Sequence, residues 1–139
     1  MPGPDTLVSA PCPCGRPAAL GKCCGRYLSG GQSAPDAESL MRSRYTAFAL
    51  GTAEAIDYLV ETHHPAHREP DLRAGIEATV ASVDSWEGLR VMSAQADGDR
   101  GTVEFVAAFR LGDHPQQLHE RSEFVREGSR WLYTRGEIH

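Results

Sequence analysis

The sequence predicts an α+β domain preceded by a short cysteine-rich element, on three observations. Apolar residues recur at helical spacing after residue 32, then alternate with polar ones from Trp86 onward, and all four cysteines fall between positions 12 and 24. Helices first and an antiparallel meander second place helices on one face of a sheet. A length of 139 residues suits one compact domain with a small appendage. With 40% apolar residues the chain has enough to bury a core, which sets it apart from disordered sequences.

The first element, residues 1–31, is built around Cys12-Pro-Cys14 and Cys23-Cys24, separated by Gly-Arg-Pro-Ala-Ala-Leu-Gly-Lys. Gly15, Pro17 and Gly21 permit the tight reversal that brings the two pairs together. Four thiolates suit a tetrahedral Zn²⁺, and a site filled by four protein sulfurs is structural rather than catalytic. Iron–sulfur ligation and redox thiols are the alternatives. Two disulfides fit poorly, because adjacent cysteines rarely bridge and a reducing compartment keeps thiols free. The segment from Tyr27 to Ser33 reads as a turn-rich linker, so a chain begun near Ser33 is expected to fold alone.

In the second element, residues 32–139, Ser33 or Ala34 is the expected N-cap of a first helix. Pro35, Asp36 and Glu38 occupy its first turn and Gly51 stops it. Leu40, Met41, Tyr45 and Phe48 fall on one stripe of that helix. Thr52 caps a second helix through Ile56, Leu59 and Val60, which ends near His63 because Pro65 disfavours helical geometry at His64. A third helix starts near Pro70-Asp71 and carries Leu72, Ile76 and Val80. From Trp86 the period is two. Leu89 and Val91 share a face, Asp97-Gly98-Asp99 turns the chain, and Val103, Phe105, Ala107, Phe109 and Leu111 share the next inner face. His119 to Arg126 and Arg130 to Thr134 complete the meander around Glu127-Gly128-Ser129.

Charge narrows the function classes. The formal net charge of −5 rests on residues 32–139, since Arg16, Lys22 and Arg26 outnumber Asp5 before them. An acidic protein does not suit sequence-independent nucleic-acid binding, where phosphate contacts dominate affinity. No apolar run approaches the ~20 residues that span a bilayer. The start lacks a basic region followed by an apolar stretch, so a cytoplasmic setting with reduced thiols is expected. Arginine supplies 13 of the 14 basic residues, a bias with no functional reading.

The run CPCGRPAALGKCCG resembles the SEC-C motif, usually CPCGSGKKYKKCCG, a zinc-binding element also found at the end of the SecA translocation ATPase. Cys12, Cys14, Gly15, Cys23, Cys24 and Gly25 match it. The resemblance implies one structural zinc ion. The family's lysine-rich partner surface is replaced here by Arg16-Pro17-Ala18-Ala19-Leu20, so binding to ribosomes or the SecB chaperone is not carried over. Two further segments extend the likeness. ESLMRSRYTAFALG and LHERSEFVREGSRWLYTRG are similar to the YchJ-like family of bacterial proteins, through Leu40, Met41, Arg42, Ser43, Arg44, Tyr45 and Phe48, then Glu120, Arg121, Ser122, Phe124, Trp131 and Tyr133. That resemblance implies an NTF2-like cone, a curved sheet wrapping helices around a pocket.

The chemistry of such a pocket is not fixed by the fold. Arg42 and Arg44 lie two apart on the first helix and cannot share a face. An inward arginine is expected to pair with Glu120 or Glu123, as buried charges usually do; the alternative is an anion site, for which a guanidinium fork is well shaped. His119 beside Glu120 is a candidate base. Tyr45, Trp86, Arg121, Trp131 and Tyr133 complete the residues expected at the pocket. His63, His64 and His67 form the single histidine cluster, but Pro65 breaks the helical spacing a metal site needs. No Ser–His–Asp set, P-loop or dinucleotide fingerprint is present. The expectation is a non-enzymatic zinc-binding adaptor, or a binding protein with an unknown protein or small-molecule partner. A small-molecule enzyme using acid–base chemistry in the cone is the alternative, and a homodimer paired through the open sheet face is a third reading.

Overall fold

The computed structural model describes residues 9–29 and 31–139. The cysteine element begins as a small hairpin, with Cys12 N–H donating to Ala18 O at 3.0 Å and Leu20 N–H to Ala10 O at 2.8 Å. A 3₁₀ turn at Leu20–Lys22 leads into the short helix α1, Gly25–Leu28. A Cβ at Gly25 would stand 2.6 Å from the Leu20 carbonyl oxygen, so this tight reversal demands glycine.

Three longer helices follow: α2 (Ala37–Leu50), α3 (Ala53–Glu61) and α4 (Leu72–Ser82). Asp36, rather than Ser33 or Ala34, caps α2, its carboxylate accepting the Ser39 N–H at 2.7 Å. The residue ahead of a proline avoids helical geometry, which moves the start beyond Pro35. Gly51 ends α2 at φ 63°, and Thr52 caps α3 through the Ala55 N–H, both as expected.

The sheet is a four-stranded antiparallel meander in chain order: β1 (Ser85–Asp97), β2 (Arg100–Leu111), β3 (His114–Glu127) and β4 (Arg130–Ile138). These strands outrun their apolar cores because long pairing continues past the buried face. Register shifts in β1 beside Glu87 and Met92 bend the sheet. The edge of β4 is blocked at one point, where Tyr133 N–H donates to Thr62 O and His64 N–H to Tyr133 O, each at 2.8 Å. One core unites Leu40, Met41 and Tyr45 of α2 with Val103, Phe105 and Ala107 of β2 and Phe124 of β3. Of the predicted inner face of β2, Phe109 is half-buried and Leu111 exposed, since the helices end before the strand does.

The cysteine element is seated on this domain, not strung beside it. Tyr27, ahead of the boundary at residues 31 and 32, is 4% exposed within the core of the α+β domain. Leu28, Leu50 and Leu89 pack against the cysteines.

Candidate metal centre and ligand cavity

The hairpin carries Cys12 and Cys14, and Cys23 and Cys24 sit where the 3₁₀ turn meets α1. All four sulfurs are buried and lie within 4.8 Å of one another, with Cys14 and Cys23 Sγ 3.6 Å apart. A tetrahedral ion with ~2.3 Å metal–sulfur bonds needs sulfur–sulfur edges of about 3.8 Å. The four residues therefore fit one ion and could hold it. Hydrogen bonds from the Cys14 and Cys24 thiols hold Cys12 well below the usual thiol range, while burial pushes Cys23 up to about 11. Thr46 Oγ1 of α2, fully buried, lies 3.7 Å from Cys12 Sγ. Sequence reasoning missed this residue, since its only sign was a threonine among apolar neighbours.

Polar contacts lock the element to α2. Arg42 Nη1 donates to Cys14 O at 2.7 Å and Arg42 Nε to Glu38 at 2.9 Å. Arg16 reaches the same carboxylate at 3.4 Å and donates to Ser39 Oγ at 3.0 Å. Arg42 is accordingly a clamp on the cysteine element and does not line a pocket.

Arg44, two residues on, points into the cone. Its Nη1 donates to Leu59 O at 2.8 Å and to Thr62 Oγ1 at 2.7 Å, capping the C-terminal turn of α3. Its guanidinium lies over the Tyr133 ring, 4.7 Å from the centroid. The predicted pairing with Glu120 or Glu123 is absent. Glu123 points outward to Arg135 at 2.7 Å, and Glu120 accepts from Ser122 Oγ at 2.5 Å. Among the described residues no carboxylate reaches ion-pair distance of Arg44. Burial lowers its pKa to about 10.

A cavity of about 320 Å³ opens beside Arg44 between α2, α4 and the sheet. Tyr45, Trp86, Glu120 and Tyr133 line it, with Met41, Phe48, Phe105 and Phe124 adding to its apolar wall. Trp86 meets Tyr45 edge-on at 5.6 Å and Phe109 at 5.3 Å, which fixes the aromatic side. Burial, helped by Glu120, raises the Tyr133 hydroxyl to about 12, so it stays a neutral donor. His63 Nε2 faces His67 O at 2.9 Å, which makes Nε2 the protonated nitrogen and leaves Nδ1 a buried acceptor without a partner.

Besides Arg42, three more expected pocket residues stand elsewhere. His119 and Arg121 flank Glu120 on β3 and therefore face the opposite side of the sheet. There His119 pairs with Glu104 at 2.7 Å and Arg121 is exposed. Trp131 is buried in the core against Tyr27 and lines a separate polar groove with Tyr58 and Glu61. The inward set Leu118, Glu120, Ser122 and Phe124 was available from the same period of two, had its parity been followed from Glu120.

A family described as YchJ, middle NTF2-like domain, matches residues 36–136. The chain belongs to this family. It is also 47% identical over 132 residues to a UPF0225 protein of Bordetella parapertussis, covering 93% of each chain. A solution structure of a SEC-C motif containing protein from Rhodopseudomonas palustris superposes with a TM-score of 0.83 at 41% identity, covering 91% of this chain and 96% of that one. A crystal structure of a SEC-C motif containing protein from Psychrobacter arcticus gives 0.77 at 29% identity, covering 96% and 85%. The NTF2-like architecture implied by the resemblance to YchJ-like sequences is thereby established. Among the described residues no helix is long and apolar enough to cross a membrane.

Proposed function

We propose that this chain is a zinc-clamped, cytoplasmic binding protein whose cone holds a small amphipathic molecule without transforming it. The observation that carries the reading is the cavity beside Arg44. Its volume stands at the small end of ligand pockets, and apolar walls with a few polar groups at one end are what such pockets present. The large apolar side chains exposed among the described residues, Met92, Leu111 and Ile138, sit on three different strands. That distribution favours a cavity over an adaptor surface. An enzyme needs a base matched to a proton. His119 is on the wrong side of the sheet, and His63 is held neutral by burial while its Nε2 is tied to a carbonyl.

Zinc is the ion these sulfurs suit best, because an iron–sulfur cluster, being larger than one ion, holds its thiolates further apart. Four protein ligands leave it no open position, so its role is to fold the element that covers α2. The reading is tested by screening a library of small neutral and charged fragments against ¹⁵N- and methyl-labelled zinc-loaded protein. Shifts concentrated on Trp86, Phe105 and Tyr133 are expected. Binders confined to the outer sheet face, or turnover of a bound fragment, would overturn it.

A further inference from the structure

The geometry points to a small monocarboxylic acid with a flat apolar body as the occupant of the cone, its carboxylate seated on Arg44. This inference rests on the reading of the cone as a ligand cavity and adds the chemistry of the ligand.

Arg44 is a buried cation bound on one side only. Its two hydrogen bonds both leave from Nη1 and both end on neutral oxygens, a carbonyl and a hydroxyl. The Tyr133 ring covers the face of the guanidinium, which orients the fork without using its N–H groups. Nη2 and Nε have no protein acceptor among the described residues. Glu120 acts on this cation only across the cavity, with no hydrogen bond to it, and a carboxylate seated on the free side of the fork would add two charge-assisted contacts.

Glu120 does not fill this role. Ser122 holds its carboxylate, which rests over Gly136, where a Cβ would overlap it. Arg44 and Glu120 therefore share the polar end of the cavity without touching. This arrangement selects the ligand's charge: one negative charge on Arg44 is matched, whereas a phosphate dianion would bring excess charge toward Glu120. The remaining wall sets the body. Met41, Tyr45, Phe48, Trp86 and Phe105 offer apolar and aromatic surface, and a volume of about 320 Å³ admits a single ring with a short arm.

The test uses the full-length, zinc-loaded protein and three probes with one body: 3-phenylpropionate, 3-phenylpropanamide and 3-phenylpropylamine. Affinities are measured by titration with NMR detection of cone resonances. The acid is expected to bind ten- to a hundred-fold more tightly than the amide, as a charge-assisted contact requires, with the amine weakest. Equal binding of acid and amide in the cone overturns the acid class and leaves the cavity reading standing. Failure of all three to move any cone resonance overturns both. Arg44→Gln should remove the preference for acid over amide. If that variant does not fold, Glu120→Gln decides, because it keeps Arg44 and removes the opposing charge. Acid affinity in Glu120→Gln should rise several-fold, and no change or a fall overturns the placement on Arg44.

Discussion

The cysteine element and the cone are neighbours in one small protein, yet different forces hold them. The element has almost no apolar interior beyond its four sulfurs, Leu20 and a few half-buried side chains. The cone buries a continuous core of aromatic and aliphatic residues from α2 and from strands β2, β3 and β4. Structural zinc in comparable short modules contributes roughly 10–16 kcal/mol of apparent binding free energy, so on the proposed zinc site the element would fold by coordination where the cone folds by packing. The contrast stops at the border. Tyr27 is rooted in the cone, and Arg42 and Arg16 hold the cysteine loop onto α2, so an ion held by the cysteines would indirectly order one wall of the larger domain.

The largest expected effect comes from taking the metal away. Chelation, or Cys14→Ser, should unfold residues 9–29 while the sheet keeps its far-ultraviolet signature, and NMR spectra of the two regions read this directly. Simultaneous collapse of β2 and β3 would show that the two regions form one cooperative unit. Next comes deletion. A chain begun at Ser33 loses Tyr27 from the core, and the loss of a large buried aromatic costs about 3–5 kcal/mol. Such a chain should unfold at markedly lower denaturant than the full one. Unchanged stability would restore the independence that the linker composition suggests.

A smaller effect is expected from Arg42→Ala. It removes the donor to Cys14 O and the ion pair with Glu38, worth about 1.5–3 kcal/mol, and should speed metal loss to a chelator with little change in the melting of the cone. An equal fall in cone stability would mean that Arg42 serves α2 rather than the cysteine loop. The smallest effect is a pH dependence confined to the cone. Burial and the nearby Arg44 hold His63 below its ordinary value of 6.5. The unfolded chain therefore binds this proton first as pH falls. The stability contributed by neutral His63 is complete above about 6.5, declines below it, and levels off once the folded group is also protonated. His63→Gln keeps a donor for the His67 carbonyl and should flatten that slope in denaturant titrations between pH 7 and pH 5. An unchanged slope would move the effect to another group.

Local features were legible because their causes are local. The spacing of the cysteines, the stop at Gly51, the Thr52 cap and the alternation in β2 are each set within a few residues of chain. The resemblance to SEC-C and YchJ-like sequences added the closed cone, which no periodicity specifies. The errors arose where a choice between two sides was involved. His119 and Arg121 were grouped with Glu120 although neighbours on a strand face opposite ways. Trp131 was assigned to the cavity because a buried tryptophan has two sides of the core to choose from.

By itself, then, the sequence determined the grouping of four potential metal ligands in residues 12–24, the helix-then-strand order, and the presence of an arginine pair on the first helix. Only the tertiary structure decided which arginine is buried. Two positions apart on a helix separates Arg42 from Arg44 by most of half a turn, but the direction of each depends on where the sheet and the cysteine loop dock. That docking leaves Arg44 beside a cavity and Glu120 held away by Ser122 over Gly136. An unpaired buried charge is a property of distances between α2, β3 and β4, and no local pattern encodes those.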